Sequence, residues 1–194
     1  MKGQNEALTP VIITGIMIAV VASAYLWGMP LIQKNKDSIY LKQSESFMYE
    51  LGDKIKFVAN NGGKETITFN IPGTLRFFPD QNYIGINITT DGTIYSIGSA
   101  LFVGPLDPTA GTWGVDEPFI IKETTTRVGK KYATAYAFQT IPLCNENRCY
   151  EINLDGKEFA TGNGHEIYIV NEGTSTQVID GKTYTYTKIK ISFS

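Results

Sequence analysis

The chain has 194 residues with 17 basic and 19 acidic side chains and a formal net charge of −2. No basic field therefore marks it for nucleic acid or for an acidic lipid surface. Eleven Tyr, ten Phe and 19 Gly, with helical patterning confined to the N-terminal part, favour an all-β domain behind a helical start. Without the first segment about 135 residues remain, enough for one domain with its own core.

No charge occurs between Glu6 and Lys34. The apolar run Val11 to Ile32 matches the roughly 20 residues a helix needs to cross a bilayer. Tyr25 and Trp27 lie near its far end, where aromatic residues favour the interface. Three readings compete: a secretory signal with Ala22-Ser23-Ala24 as its cleavage site, a plain membrane anchor, and a pilin-type signal. From Gln33 the chain turns polar but stays helical in pattern. Phe47, Met48, Leu51, Ile55 and Val58 form one helical stripe, and Asn60-Asn61-Gly62-Gly63 is a C-terminal stop. One helix is predicted from about Ala7 to Ala59, on the order of 80 Å long. Pro30 is expected to kink it, with Gly15, Gly28 and Gly52 softening it.

Beyond Gly63 the pattern alternates. Strands are predicted at Glu65–Ile71, Tyr83–Thr90, Thr93–Val103, Phe119–Val128, Tyr132–Ile141, Cys149–Leu154 and Glu166–Asn171. A last strand carries Thr185, Thr187, Ile189, Ile191 and Phe193 on one face. Asp91-Gly92, Asp155-Gly156 and Asp180-Gly181 each read as a hairpin turn. Gly104–Pro118 reads as a long surface loop. The fold class is α+β: a long N-terminal helix (4–60, apolar over 11–32 and amphipathic over 33–59) followed by a β-rich sandwich or open barrel (64–194).

The two cysteines, Cys144 and Cys149, flank Asn-Glu-Asn-Arg. One histidine, His165, cannot complete a zinc set with them. A short disulfide at a hairpin tip, and so an oxidising location, is expected; free thiols in an exposed loop are the alternative. No Ser–His–acid order and no phosphate-binding glycine loop is present, so no enzyme, cofactor or metal is expected. Gly162-Asn163-Gly164-His165 reads as a turn. Asp116-Glu117 reads as a solvated loop rather than a calcium site. Asn87-Ile88-Thr89 is a glycosylation sequon, with a chance match as its alternative. Glu6, a lone carboxylate beside an apolar segment, must find a cation or stay at the interface. The short side chains at Gly15, Ala19, Ala22, Ser23 and Ala24 allow neighbouring helices to approach closely.

Met1-Lys2-Gly3-Gln4, then Glu6 and the apolar helix, resembles the short class III signal of archaeal pilins and archaellins. Ala24 to Lys34 also looks like segments of small archaeal pilin-like proteins. The resemblance covers about the first 35 residues. It implies cleavage by prepilin peptidase between Gly3 and Gln4, a membrane-embedded precursor, a pilus assembly machinery, and identical subunits as partners in an extracellular filament. Glu6 would then meet the α-amine of a neighbouring subunit. In bacterial type IV pilins the acidic residue lies fifth in the mature chain, whereas here it would be third. Two other layouts share these features: a membrane-anchored surface protein such as an archaellum stator component, and a secreted β-domain adhesin whose mature chain starts after Ala24.

Overall fold

The computed structural model of the protein describes residues 3–102 and 119–194, with side chains described for 10–101 and 121–194. The predicted loop Gly104–Pro118 and the Asp116-Glu117 pair lie outside the described residues.

The fold is α+β. Helix α1 runs unbroken from Gly3 to Asn61, with Pro10 and Pro30 inside it. At 1.5 Å per residue it is about 88 Å long. Its end is set by Gly62, at φ 74°, whose N–H reaches the Val58 carbonyl at 2.9 Å. Asn61 donates to the Phe57 carbonyl at 3.0 Å and Asn171 to that of Val58 at 2.9 Å. Of the last-turn carbonyls, which have no partner inside a helix, that of Val58 is thereby satisfied, and Asn171 Nδ2 also lies 3.4 Å from that of Ala59.

Eleven strands follow among the described residues: β1 (Lys64–Phe69), β2 (Thr74–Phe78), β3 (Tyr83–Thr90), β4 (Ala100–Phe102), β5 (Phe119–Val128), β6 (Lys131–Thr140), β7 (Leu143–Cys144), β8 (Arg148–Asp155), β9 (Phe159–Thr161), β10 (His165–Ile179) and β11 (Lys182–Phe193). They form a five-stranded sheet in the order β1-β10-β11-β8-β7 and a six-stranded sheet in the order β4-β5-β6-β3-β2-β9. Every pairing is antiparallel except β8 with β11, which is parallel. The second half of α1 contacts strands of both sheets. Leu41, Met48, Leu51, Ile55 and Val58 are fully buried in one core with Phe69, Phe77, Ile86, Phe138, Ile169 and Ile189. Each such side chain contributes roughly 1.5–3 kcal/mol relative to exposure. Phe47 meets Phe69 edge-on, with ring centres 5.3 Å apart.

The helical stripe and the alternation of β11 agree with the sequence reading: Thr187, Ile189 and Ile191 are buried, although Phe193 at the strand end is 43% exposed. Four expectations are corrected. The stretch predicted as a strand from Thr93 is irregular to Ser99, and only Ala100–Phe102 is strand. Within it Ile97 makes a single parallel bridge to Thr125, and Gly98 donates to the Thr125 carbonyl at 2.9 Å. Of the three Asp-Gly pairs only Asp180-Gly181 makes the two-residue hairpin, with φ of 49° and 78°. Asp155-Gly156 carries the chain from one sheet to the other. There Gly156, at φ 143°, sits so close to the Ile191 carbonyl that a Cβ would lie 2.3 Å from it. β10 runs on to Ile179, well past the predicted Asn171, after a bulge at Asn171/Gly173. The short strands β2 and β9 are not among the predicted strands, although Leu75-Arg76-Phe77 alternates as β2 is buried.

Candidate assembly surface and helix clamp

The two halves of α1 have opposite surroundings. From Val11 to Ile32 every residue except Gly28 is exposed; Trp27 is 89% and Leu26 72% exposed. The helix from Pro10 is long and apolar enough to cross a membrane, with a stretch of mean hydropathy 2.1 of which none is buried. Burial begins at Asp37. Side-chain hydroxyls inside the apolar half are turned inward: Thr14 donates to the Pro10 carbonyl and Ser23 to the Ala19 carbonyl, both at 2.7 Å. That back-bonding hides polar groups from an apolar environment. A Cβ at Gly15 would meet nothing within 4 Å. Gly15, Ala19, Ala22, Ser23 and Ala24 all lie on this uncovered half. Gly3, Gln4 and Glu6 lie within the helical backbone, and their side chains are outside the described residues.

Where the helix meets the β domain, polar contacts fix its seating. Asp37 is 3% exposed. Its Oδ2 accepts the backbone N–H groups of Asp91 at 3.0 Å and Gly92 at 2.7 Å, and its Oδ1 accepts Gln33 Nε2 at 3.0 Å. A carboxylate receiving two adjacent backbone donors is a charge-assisted clamp. Asp91-Gly92 is not the two-residue hairpin, since neither residue has the positive φ seen at Asp180-Gly181, and both of its amides serve the helix. Lys54 pairs with Glu65 of β1 at 3.0 Å.

A second contact lies one and two turns further on. The Tyr136 hydroxyl, on β6, lies 2.8 Å from the Leu41 carbonyl and 2.9 Å from the Tyr95 hydroxyl, and Tyr95 donates to Glu45 Oε2 at 3.1 Å. Burial pushes the Tyr95 hydroxyl up to about 12, partly opposed by its bond to Tyr136. Burial likewise raises Tyr136. Nearby on β5, Glu123 is fully buried. Thr125 donates to its Oε1 and meets the Thr134 hydroxyl at 2.9 Å. Its Oε2 has no hydrogen-bond partner, and burial raises its carboxyl above the usual carboxylate range, with the Thr125 bond opposing. Burying a carboxyl costs less when it is protonated.

The remaining candidates are spread over the domain. Cys144 and Cys149 are register partners in the β7–β8 hairpin and are joined by a disulfide, their Cα atoms 4.0 Å apart. Asn87 lies exposed in the middle of β3, opposite Thr74 and Ala135. His165 opens β10, with Nδ1 2.6 Å from the Ser194 carbonyl, and Gly164 before it donates to the Phe69 carbonyl at 2.7 Å. Among the described residues no three His, Cys, Asp or Glu side chains gather around a common point.

No family model, curated protein or solved structure matches this chain.

Proposed function

We propose that the protein is the structural subunit of an archaeal type IV pilus-like extracellular filament, polymerising through the apolar half of its helix and serving adhesion or surface attachment. The observation that carries this reading is the division of α1. One continuous helix of about 88 Å is bound to its own domain only from Asp37 onward, and its uncovered part is apolar on every side from Val11 to Ile32. A helix that is apolar all round must be surrounded. Lipid surrounds it in the precursor, and identical helices do so in the filament. The precursor is cut between Gly3 and Gln4, so intact-mass spectrometry of native protein is expected to show loss of the first three residues. The disulfide fits an oxidising, extracellular setting.

The test is Ala19→Asp or Ala22→Asp. A charge buried among apolar helices is costly, while the β domain keeps its own core. Filaments counted by electron microscopy are expected to disappear while circular dichroism of the β domain stays unchanged. Normal filaments from either variant would reject the helix as the polymer core and favour a membrane anchor.

A further inference from the structure

The outward side of α1 carries a seam that runs the length of the helix. Taken every seventh residue, one line is Ile18, Tyr25, Ile32, Ile39, Ser46 and Asp53. The second is Ala22, Met29, Lys36, Gln43, Glu50 and Phe57. Interleaved, they alternate in steps of three and four, the spacing by which one helix lies along another. All twelve are exposed, opposite the buried Leu41, Met48, Leu51 and Ile55. The seam does not stop where the β domain begins: Ile39 is 52% and Phe57 54% exposed.

Along the domain half, the seam forms the wall of a trough. Its larger part, about 650 Å³, is lined by Ser46, Tyr49, Glu50, Asp53, Phe57 and the Lys54–Glu65 pair. It continues past Ser46 and Glu50 into a second hollow that reaches Ile39 and Ile71. The opposite wall is β1, the edge strand of its sheet. Of the two basic side chains that line the trough, Lys54 is held by Glu65 and Lys42 lines the second hollow together with Ile39; Glu50 and Asp53 make no ion pair among the described residues.

We propose that this trough receives the helix of a second copy, parallel and displaced by two heptads, so that the end of its apolar run lies by Ile39 and the incoming Lys36 meets Glu50 and Asp53. The proposal rests on the filament reading and names the contact that sets its stagger. Charge selects the displacement. With none, Lys36 faces Lys36. A shift of one heptad sets Lys36 against Gln43 and Met29 against Lys36. A shift of three buries Lys36 on Phe57. A shift of 14 residues, about 21 Å, sets Lys36 against Glu50, Ile32 against Ser46 and Tyr25 against Ile39. It is the one of the four that sets Lys36 against a carboxylate; it also places Ile39 opposite Asp53 and Ala22 opposite Lys36. Like charges placed opposite one another suppress a contact and opposite charges fix its register.

Charge exchange tests this in the full chain. Lys36→Glu alone and Glu50→Lys alone are each expected to lower the number of filaments about tenfold, with membrane insertion and β-domain circular dichroism unchanged. The chain carrying both is expected to regain wild-type numbers. Normal filaments from either single variant, or no recovery in the double, would overturn the proposal while leaving the filament reading in place. A second readout is independent of charge. In a chain carrying Lys36→Cys and Glu50→Cys the two sites lie about 21 Å apart on one helix, too far for a bond that needs Cα atoms within about 7 Å. Oxidised filaments of this chain are expected to run as a ladder of covalent multimers without reductant. Filaments that give no ladder would overturn the stagger, and if this chain forms none, the charge exchange decides.

Discussion

Removing the Asp37 carboxylate is expected to loosen the helix from its domain, and the size of the effect can be worked from the geometry. Asp37→Ala deletes an acceptor for two backbone N–H groups, at 3.0 and 2.7 Å, and for the Gln33 amide. Hydrogen bonds to a charged group contribute roughly 1.5–3 kcal/mol each, and they are not additive where donors share one acceptor. A loss of about 3 kcal/mol is therefore expected. For a chain of this size each kcal/mol moves the melting temperature by about 2–4 °C, so Asp37→Ala should melt about 6–12 °C below the wild type. Asp37→Asn keeps one accepting oxygen without the charge and should lose about half as much. The assay is thermal unfolding in detergent micelles, followed by circular dichroism of the β domain. An Asp37→Ala chain melting within about 2 °C of the wild type would refute the clamp, as would an Asn variant no better than the Ala one.

Glu123→Gln addresses the buried carboxyl. Because its pKa is raised in the fold, the folded state holds the proton more tightly than the unfolded chain. Its stabilising effect is complete below the ordinary value of about 4.3 and is lost as the pH rises through the folded value. The glutamine variant should show a flatter fall in melting temperature from acid to neutral pH, and an unchanged slope would contradict the assignment. Gly156→Ala places a Cβ against the Ile191 carbonyl at a backbone angle of φ 143°, and should cost more than about 2 kcal/mol by urea unfolding; a smaller loss would show that the sheet-to-sheet crossing yields. Cys144→Ser with Cys149→Ser opens a short loop, so the expected loss is near the low end of about 2–4 kcal/mol. Hydrogen exchange should quicken chiefly between 144 and 149, and wild type melted in reductant should behave the same.

The sequence was most readable where one period ruled a long stretch. The helix stripe of Phe47, Met48, Leu51, Ile55 and Val58 is buried throughout, and the alternation in β11 settles which face meets the core. Asp-Gly proved less specific, because what a turn does depends on what its amides meet. At Asp180-Gly181 they face solvent at a hairpin tip, at Asp91-Gly92 they meet Asp37, and at Asp155-Gly156 the chain changes sheets. The clamp and the Glu45–Tyr95–Tyr136 contact could not be read from sequence. Their partners lie between 41 and 95 residues apart, and only the packing of α1 across both sheets brings them together. Asp37 carried a faint sign, an acidic side chain in line with the apolar stripe that follows it. Glu123, in a run of β-prone threonines, would have read as an ordinary solvent-facing strand residue.

The most direct test of the central claim is immunogold electron microscopy of the producing cells, using antibody raised against residues 64–194. If the chain is a filament subunit, gold should run along thread-like appendages leaving the cell, and shearing them off should carry the protein, shortened by three residues, into the supernatant. Gold confined to the cell envelope, with the protein retained in membranes after shearing, would contradict the account and leave the apolar helix as an anchor.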